Sequence, residues 1–141
     1  MDIRIYYEDT DSGGVVYYAN YLRYFERSRT ELLKSVGINI AELINDGLFF
    51  VVTHAEIDYK LPAEYGDLIS VKAIVSWVKK ASFEVRYEIV RQPDSKLIVL
   101  GKTTMALLNT DRHPTKMSEE MLEKLKTLGK PAADPMLPFI H

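Results

Sequence analysis

Cysteine is absent from this chain of 141 residues, which excludes disulfides, thiolate catalysis and cysteine-ligated metal. A surplus of one charge sign is absent too: 18 Lys and Arg stand against 20 Asp and Glu, a formal net charge of −2. That balance provides no basic face, so no nucleic-acid partner is expected. Histidine is scarce, and His54, His113 and His141 show no ligand spacing for zinc or iron. Long apolar runs are missing as well. Residues 48–52 and 97–100 are too short to cross a bilayer, and the first eight residues hold no apolar core of a secretory signal. These absences lead us to expect a cytoplasmic protein without membrane insertion. The length suits one domain over residues 1–130, followed by a tail over 131–141 that holds Pro131, Pro135 and Pro138.

Tyrosine is what the chain has in plenty, and six of its nine fall within the first 24 residues. They flank Glu8-Asp9-Thr10-Asp11-Ser12-Gly13-Gly14, which runs directly into an amphipathic segment. Apolar residues recur there at Tyr18, Tyr21, Leu22, Phe25, Leu32, Leu33 and Val36, predicting a helix of about 18 residues that Gly37 terminates. A carboxylate placed beside a helix N-terminus meets unpaired N–H groups and partial positive charge, the combination a developing oxyanion needs. Gly13-Gly14 lacks the Lys-Ser/Thr of a phosphate loop; the pair permits a tight turn through which a substrate carbonyl could approach.

Before the helix, residues 2–8 alternate well enough for a short strand. Beyond it, residues 40–45 suit a further helical turn or two. Residues 48–60, 67–79, 82–91 and 97–109 are rich in Val, Ile, Phe, Tyr and Thr and read as strands. Their short links favour a meander, and the alternation over residues 82–89 implies one solvated face. Residues 118–128 read as an exposed helix with Ser118 as its cap. A helix this apolar needs a cover, so we expect an α+β fold: one sheet of about five antiparallel strands curved around one long central helix.

The register Tyr7-x-Asp9-Thr10-Asp11-x-x-Gly14-Val15-Val16-Tyr17-x-x-x-Tyr21, with Phe25-Glu26-x-x-Arg29 after it, resembles the hotdog-fold acyl-CoA thioesterases of the 4-hydroxybenzoyl-CoA thioesterase type. Ile57-Asp58-Tyr59-x-x-Pro62-Ala63-x-Tyr65-Gly66-Asp67 is similar to the branch encoded beside the Tol-Pal cell-envelope genes. The resemblance spans roughly residues 1–130. It implies the hotdog fold, hydrolysis of an acyl-CoA without any cofactor, and a homodimer or homotetramer with sites at the subunit boundary. By the same resemblance Asp11 is the catalytic carboxylate, as nucleophile or as general base. The main-chain N–H groups of Val16, Tyr17 and Tyr18 would hold the oxyanion. Several members of that branch carry histidine where this chain has Tyr18, a change that leaves a main-chain role intact. Tyr7, Lys79 and Lys80 are the expected substrate contacts, the lysine pair as a basic turn for the nucleotide phosphates.

Plainer roles stand beside these. Asp11 alone could cap the turn, Asp9 is expected to be structural, and Glu26 with Arg29 suits a helix-surface ion pair. Two other functions share the fold: a hydratase, which needs an Asp–His pair that residues 11–20 do not contain, and an acyl-carrier-binding scaffold of the cell envelope.

Overall fold

The computed structural model describes residues 1–129. Its elements are β1 (Asp2–Arg4), a 3₁₀ turn at Tyr7–Asp9, α1 (Asn20–Lys34), α2 (Ile40–Asn45), β2 (Phe49–Tyr59), β3 (Leu68–Val78), β4 (Ser82–Gln92), β5 (Lys96–Leu108) and α3 (Glu119–Lys126). The strands form one antiparallel sheet in the order β1-β3-β4-β5-β2, curled against α1. The hotdog architecture expected from the resemblance is present.

Two features of this sheet differ from a plain meander. Only β3-β4-β5 run as neighbours in sequence, while β2 lies beyond β5 at the far edge. The link lengths explain this. The β3–β4 and β4–β5 connections are tight hairpin turns, whereas residues 60–67 are long enough to cross three strand spacings of about 4.8 Å each. The first strand also stops early. Asp9 Oδ2 accepts the Tyr6 N–H at 2.8 Å and folds residues 7–9 into the 3₁₀ turn, leaving Tyr7 78% exposed.

The core lies between α1 and the concave face of the sheet. Phe83, Val85, Tyr87 and Ile89 of β4 point inward and are fully buried, as period-2 alternation requires. The opposite face of β4 is less solvated than alternation suggested, because long side chains on both neighbouring strands flank this central strand. Glu84 and Glu88 are only 6% and 5% exposed. Burial pushes the Glu84 carboxyl up, but hydrogen bonds from Ser76 Oγ at 2.7 Å and Arg86 Nε at 3.0 Å outweigh it and hold it below its ordinary value.

Phe25 of α1 stacks on Tyr87, centroids 4.1 Å apart and planes 8° from parallel, directly over Gly101 of β5. One turn on, Arg29 donates to Tyr87 Oη at 2.9 Å rather than pairing with Glu26, and Tyr87 Oη lies 2.7 Å from Thr103 Oγ1. Arg29 therefore fastens the helix to the middle of the sheet.

The helix begins two residues later than its apolar pattern, because Tyr17 and Tyr18 belong to the incoming turn and supply carbonyls to Asn20 and Tyr21. Beyond its end at Lys34 the chain turns through Gly37, whose φ of 81° lets Ile38 N–H return to Leu33 O at 3.0 Å. Leu22, expected on the buried stripe, is exposed in the single chain. Helix α3 is less peripheral than expected: Ser118 caps it through Met121 N–H, and Leu125 and Met117 are buried in the core. The proline-rich segment 131–141 lies outside the described residues. No helix among the described residues is long and apolar enough to cross a membrane.

Candidate active site

The segment between β1 and α1 folds on itself before reaching the helix. Asp11 N–H donates to Val15 O at 2.9 Å and Gly14 N–H to Asp11 O at 3.0 Å, closing a tight loop over residues 11–15. Gly14 sits at φ 80°, where a side chain would be strained. Gly13 donates its N–H to Asp11 Oδ1 at 2.8 Å. This fixes one carboxylate oxygen and leaves Oδ2 without a hydrogen-bond partner among the described residues. The side chain is exposed, so a reactant can reach it.

Asp9 has a different position. Its carboxylate holds the 3₁₀ turn through Tyr6 N–H, and its carbonyl accepts both Tyr17 N–H and Asn20 Nδ2, each at 2.9 Å. It also lies beside the buried Tyr24 hydroxyl, which finds no hydrogen bond of good geometry. Burial, with the Asp9 carboxylate next to it, pushes the Tyr24 phenol up. Asp9 is thus the structural acid of the pair.

The loop is anchored to the β2–β3 connection through backbone bonds. Val16 N–H donates to Ala63 O at 2.8 Å, Val15 bridges Glu64, and Ala63 is fully buried. These bonds sort the three amides expected to hold an oxyanion. Val16 N–H is taken by Ala63 and Tyr17 N–H by Asp9, whereas Tyr18 N–H makes no hydrogen bond among the described residues. Ala19 N–H is equally unpaired, and both stand at the N-terminus of α1 where the helix dipole favours negative charge. Sequence reasoning missed Ala19, since nothing in a sequence tells which amides a loop will use internally.

Beside Tyr18 opens a cavity of about 260 Å³ lined by Val16, Tyr18, Tyr21, Tyr59, Lys60, Leu61 and Pro62. Tyr59 Oη reaches Tyr18 O at 3.4 Å, and the Tyr17 and Tyr18 rings lie 4.7 Å apart. Hydrogen bonding to Tyr18 raises the Tyr17 phenol, while burial raises that of Tyr21. Residues 59–62 of this wall were legible only as part of the second motif, without a role. Tyr7 lies on the outer side of the 3₁₀ turn with its ring edge-on to Tyr65, centroids 6.1 Å apart. Lys79 and Lys80 are not brought to Asp11 within one chain. They occupy the β3–β4 turn, the length of β3 away from the anchored loop, roughly 35 Å along the strand. Lys79 Nζ instead covers the Trp77 ring at 4.8 Å. Among the described residues no three His, Asp or Glu side chains gather into a metal-holding group.

A curled five-stranded antiparallel sheet around one helix defines the hotdog fold. Residues 6–125 match the thioesterase-like superfamily; the chain belongs to that family and is a thioester hydrolase. Among its relatives, acyl-CoA thioesterase YbgC of Haemophilus influenzae is 40% identical, over 77% of this chain and 78% of that protein. The 1,4-dihydroxy-2-naphthoyl-CoA hydrolase of Rippkaea orientalis is 32% identical over 84% of this chain and 88% of its own length. The crystal structure of a probable thioesterase from Bartonella henselae superposes with a TM-score of 0.77 at 36% identity, covering 84% of this chain and 97% of that one.

Proposed function

We propose that this enzyme hydrolyses an acyl-CoA to the free acid and coenzyme A, the activity for which its YbgC relatives are named. The observation that carries the reading is Asp11. One carboxylate oxygen is fixed by Gly13 and the other is open, on a loop held against the N-terminus of α1. The Tyr18 N–H, with Ala19 behind it, would receive the thioester oxygen as it gains negative charge. Asp11 Oδ2 then attacks the carbonyl carbon to give a mixed anhydride, which water hydrolyses after the thiolate has left, or it takes a proton from the water that attacks the carbonyl and expels the thiolate directly. Tyr7 would add an aromatic wall near the mouth. Cytoplasmic location and membership of the Tol-Pal-associated branch are part of the same proposal, supported by the two sequence motifs and by the YbgC relatives. Release of free thiol from a panel of acyl-CoAs by the purified protein tests it. No release above the buffer rate from any of them would overturn it and favour a non-catalytic scaffold.

The sheet supports assembly into a dimer. β2 is an eleven-residue edge strand paired on one side only, and Phe49 and Val52 on it are 37% and 48% exposed. Exposed edges of this length are normally paired or covered. Pairing two β2 strands antiparallel gives a homodimer, two of which could form a homotetramer. Light scattering at micromolar protein should give a mass of at least twice 16.2 kDa; a stable, active monomer would rule this arrangement out.

The same pairing bears on Lys79 and Lys80. Antiparallel β2 strands turn the β3–β4 turn of the second copy toward the Asp11 end of the first, roughly 15–20 Å across the sheet from the first copy's β2 edge. That span suits the phosphates of an extended coenzyme A. Replacing both lysines by Ala should raise KM several-fold at low ionic strength and weaken its salt dependence. kcat should stay nearly constant, because such a contact exists equally in ground and transition states. Unchanged KM would leave the pair as a solvated turn.

A further inference from the structure

The wall of the cavity beside Tyr18 contains one cation. Lys60 lines it together with Val16, Tyr18, Tyr21, Tyr59 and Leu61, a set of apolar and aromatic side chains. Its side chain has neither a hydrogen bond nor an ion pair among the described residues, although Asp58 precedes it by only two positions. By contrast Lys102 pairs with Glu56 at 3.0 Å and Lys124 with Glu120 at 3.0 Å. The backbone beneath Lys60 is fixed: its N–H and that of Leu61 both donate to Ile98 O, at 2.9 and 3.2 Å. Lys60 is therefore an exposed lysine on a held segment that lines the same cavity as Tyr18.

We infer that Lys60 is a specificity-determining residue that receives an anionic oxygen group of the substrate in this cavity. The inference rests on the acyl-CoA reading above. Two parts of such a substrate carry that chemistry: a carboxylate at the far end of the acyl group, and the phosphates of coenzyme A. The acyl carboxylate is favoured, because the cavity adjoins the reacting carbonyl and the phosphates lie an extended pantetheine away. An unpaired lysine in the cavity lining also discriminates, since a carboxylate gives it a charge-assisted hydrogen bond that a neutral acyl end cannot. The enzyme would accordingly prefer monothioesters of short dicarboxylic acids over neutral acyl groups of similar length.

Three probes separate the cases: butyryl-CoA, glutaryl-CoA, and the butyryl thioester of N-acetylcysteamine, which has no phosphate. For each, kcat/KM is compared between the parent enzyme and Lys60→Gln, with Lys60→Arg as the charge-retaining control. The expected result is a loss on glutaryl-CoA at least about tenfold greater than on butyryl-CoA, largely restored by Lys60→Arg, on the scale of one hydrogen bond to a charged group. Equal losses on both CoA esters, at least about tenfold greater than on the phosphate-free thioester, would assign the anion to coenzyme A. The same ratio on all three probes, including no loss on any, overturns the role of Lys60. Calorimetric affinities of the parent and Lys60→Gln proteins for the same probes read these ratios without turnover. A parent protein that binds with the expected ratios but hydrolyses nothing would refute the hydrolase reading and retain the anion site.

Discussion

Asp11→Asn should lower turnover of the best acyl-CoA substrate by at least about 100-fold while leaving the fold unchanged. Asparagine keeps an oxygen in the place of Oδ1, so the Gly13 N–H retains its acceptor and the loop over residues 11–15 retains its closure. What is lost is the charge, and with it the open oxygen proposed to attack the carbonyl or to take a proton from water. Losses of 100- to 1,000-fold follow removal of other single charge-stabilising groups from active sites. The side chain is exposed, so its melting temperature should stay within a degree or two of the parent's. Asp9→Asn should cost far less in rate, since Asp9 serves the turn. Steady-state kinetics on both variants decide the matter, and an Asp11→Asn enzyme within a few-fold of the parent removes Asp11 from the chemistry.

Gly101→Val should destabilise the fold severely. The backbone at Gly101 is ordinary, so conformational freedom is not what the glycine supplies. It supplies space: a Cβ there would stand far inside contact distance of Phe25 Cζ and Cε2, with Glu56 O at 3.2 Å on the other side. Phe25 cannot withdraw, because its ring is stacked on Tyr87, and Tyr87 is bonded through its hydroxyl to Arg29 and Thr103. Overpacking at so confined a place costs about 3 kcal/mol or more, which in a domain of this size lowers the melting temperature by roughly 10 °C. Combining Gly101→Ala with Phe25→Leu should recover part of the loss, a coupling that a double-mutant cycle measures. A fall of less than about 3 °C for Gly101→Val would mean that α1 can lift from the sheet at little cost.

The four long strands were legible to within two residues at each end because Val, Ile and aromatic runs are bounded there by Gly, Pro and Lys-Lys signals. The helix was legible from its period, and its stop from Gly37. Strand order was not. Nothing local in residues 49–59 says that they pair with β5 rather than β3; that outcome depends on covering α1, a property of the whole sheet. The loop that carries Asp11 divides in the same way. Asp11, Gly14 and the helix start could be read from their register, but the allocation of the Val16, Tyr17 and Tyr18 amides depends on where residues 9 and 63 end up in space. The buried state of Glu84 and the inward turn of Arg29 toward Tyr87 likewise follow from neighbours on other strands.

The attachment of the Asp11 loop to the β2–β3 connection is made from main-chain groups: Val16 N–H to Ala63 O, and Val15 bridged to Glu64. A main-chain bond is indifferent to most substitutions of the residues that make it. Residues 59–62, which line the cavity immediately before that anchor, can therefore be exchanged while the Asp11 carboxylate and the helix amides keep their places. Substrate preference and chemistry become separately heritable traits. A laboratory library confined to positions 60 and 61 should yield enzymes of altered acyl preference far more often than enzymes that have lost hydrolysis altogether.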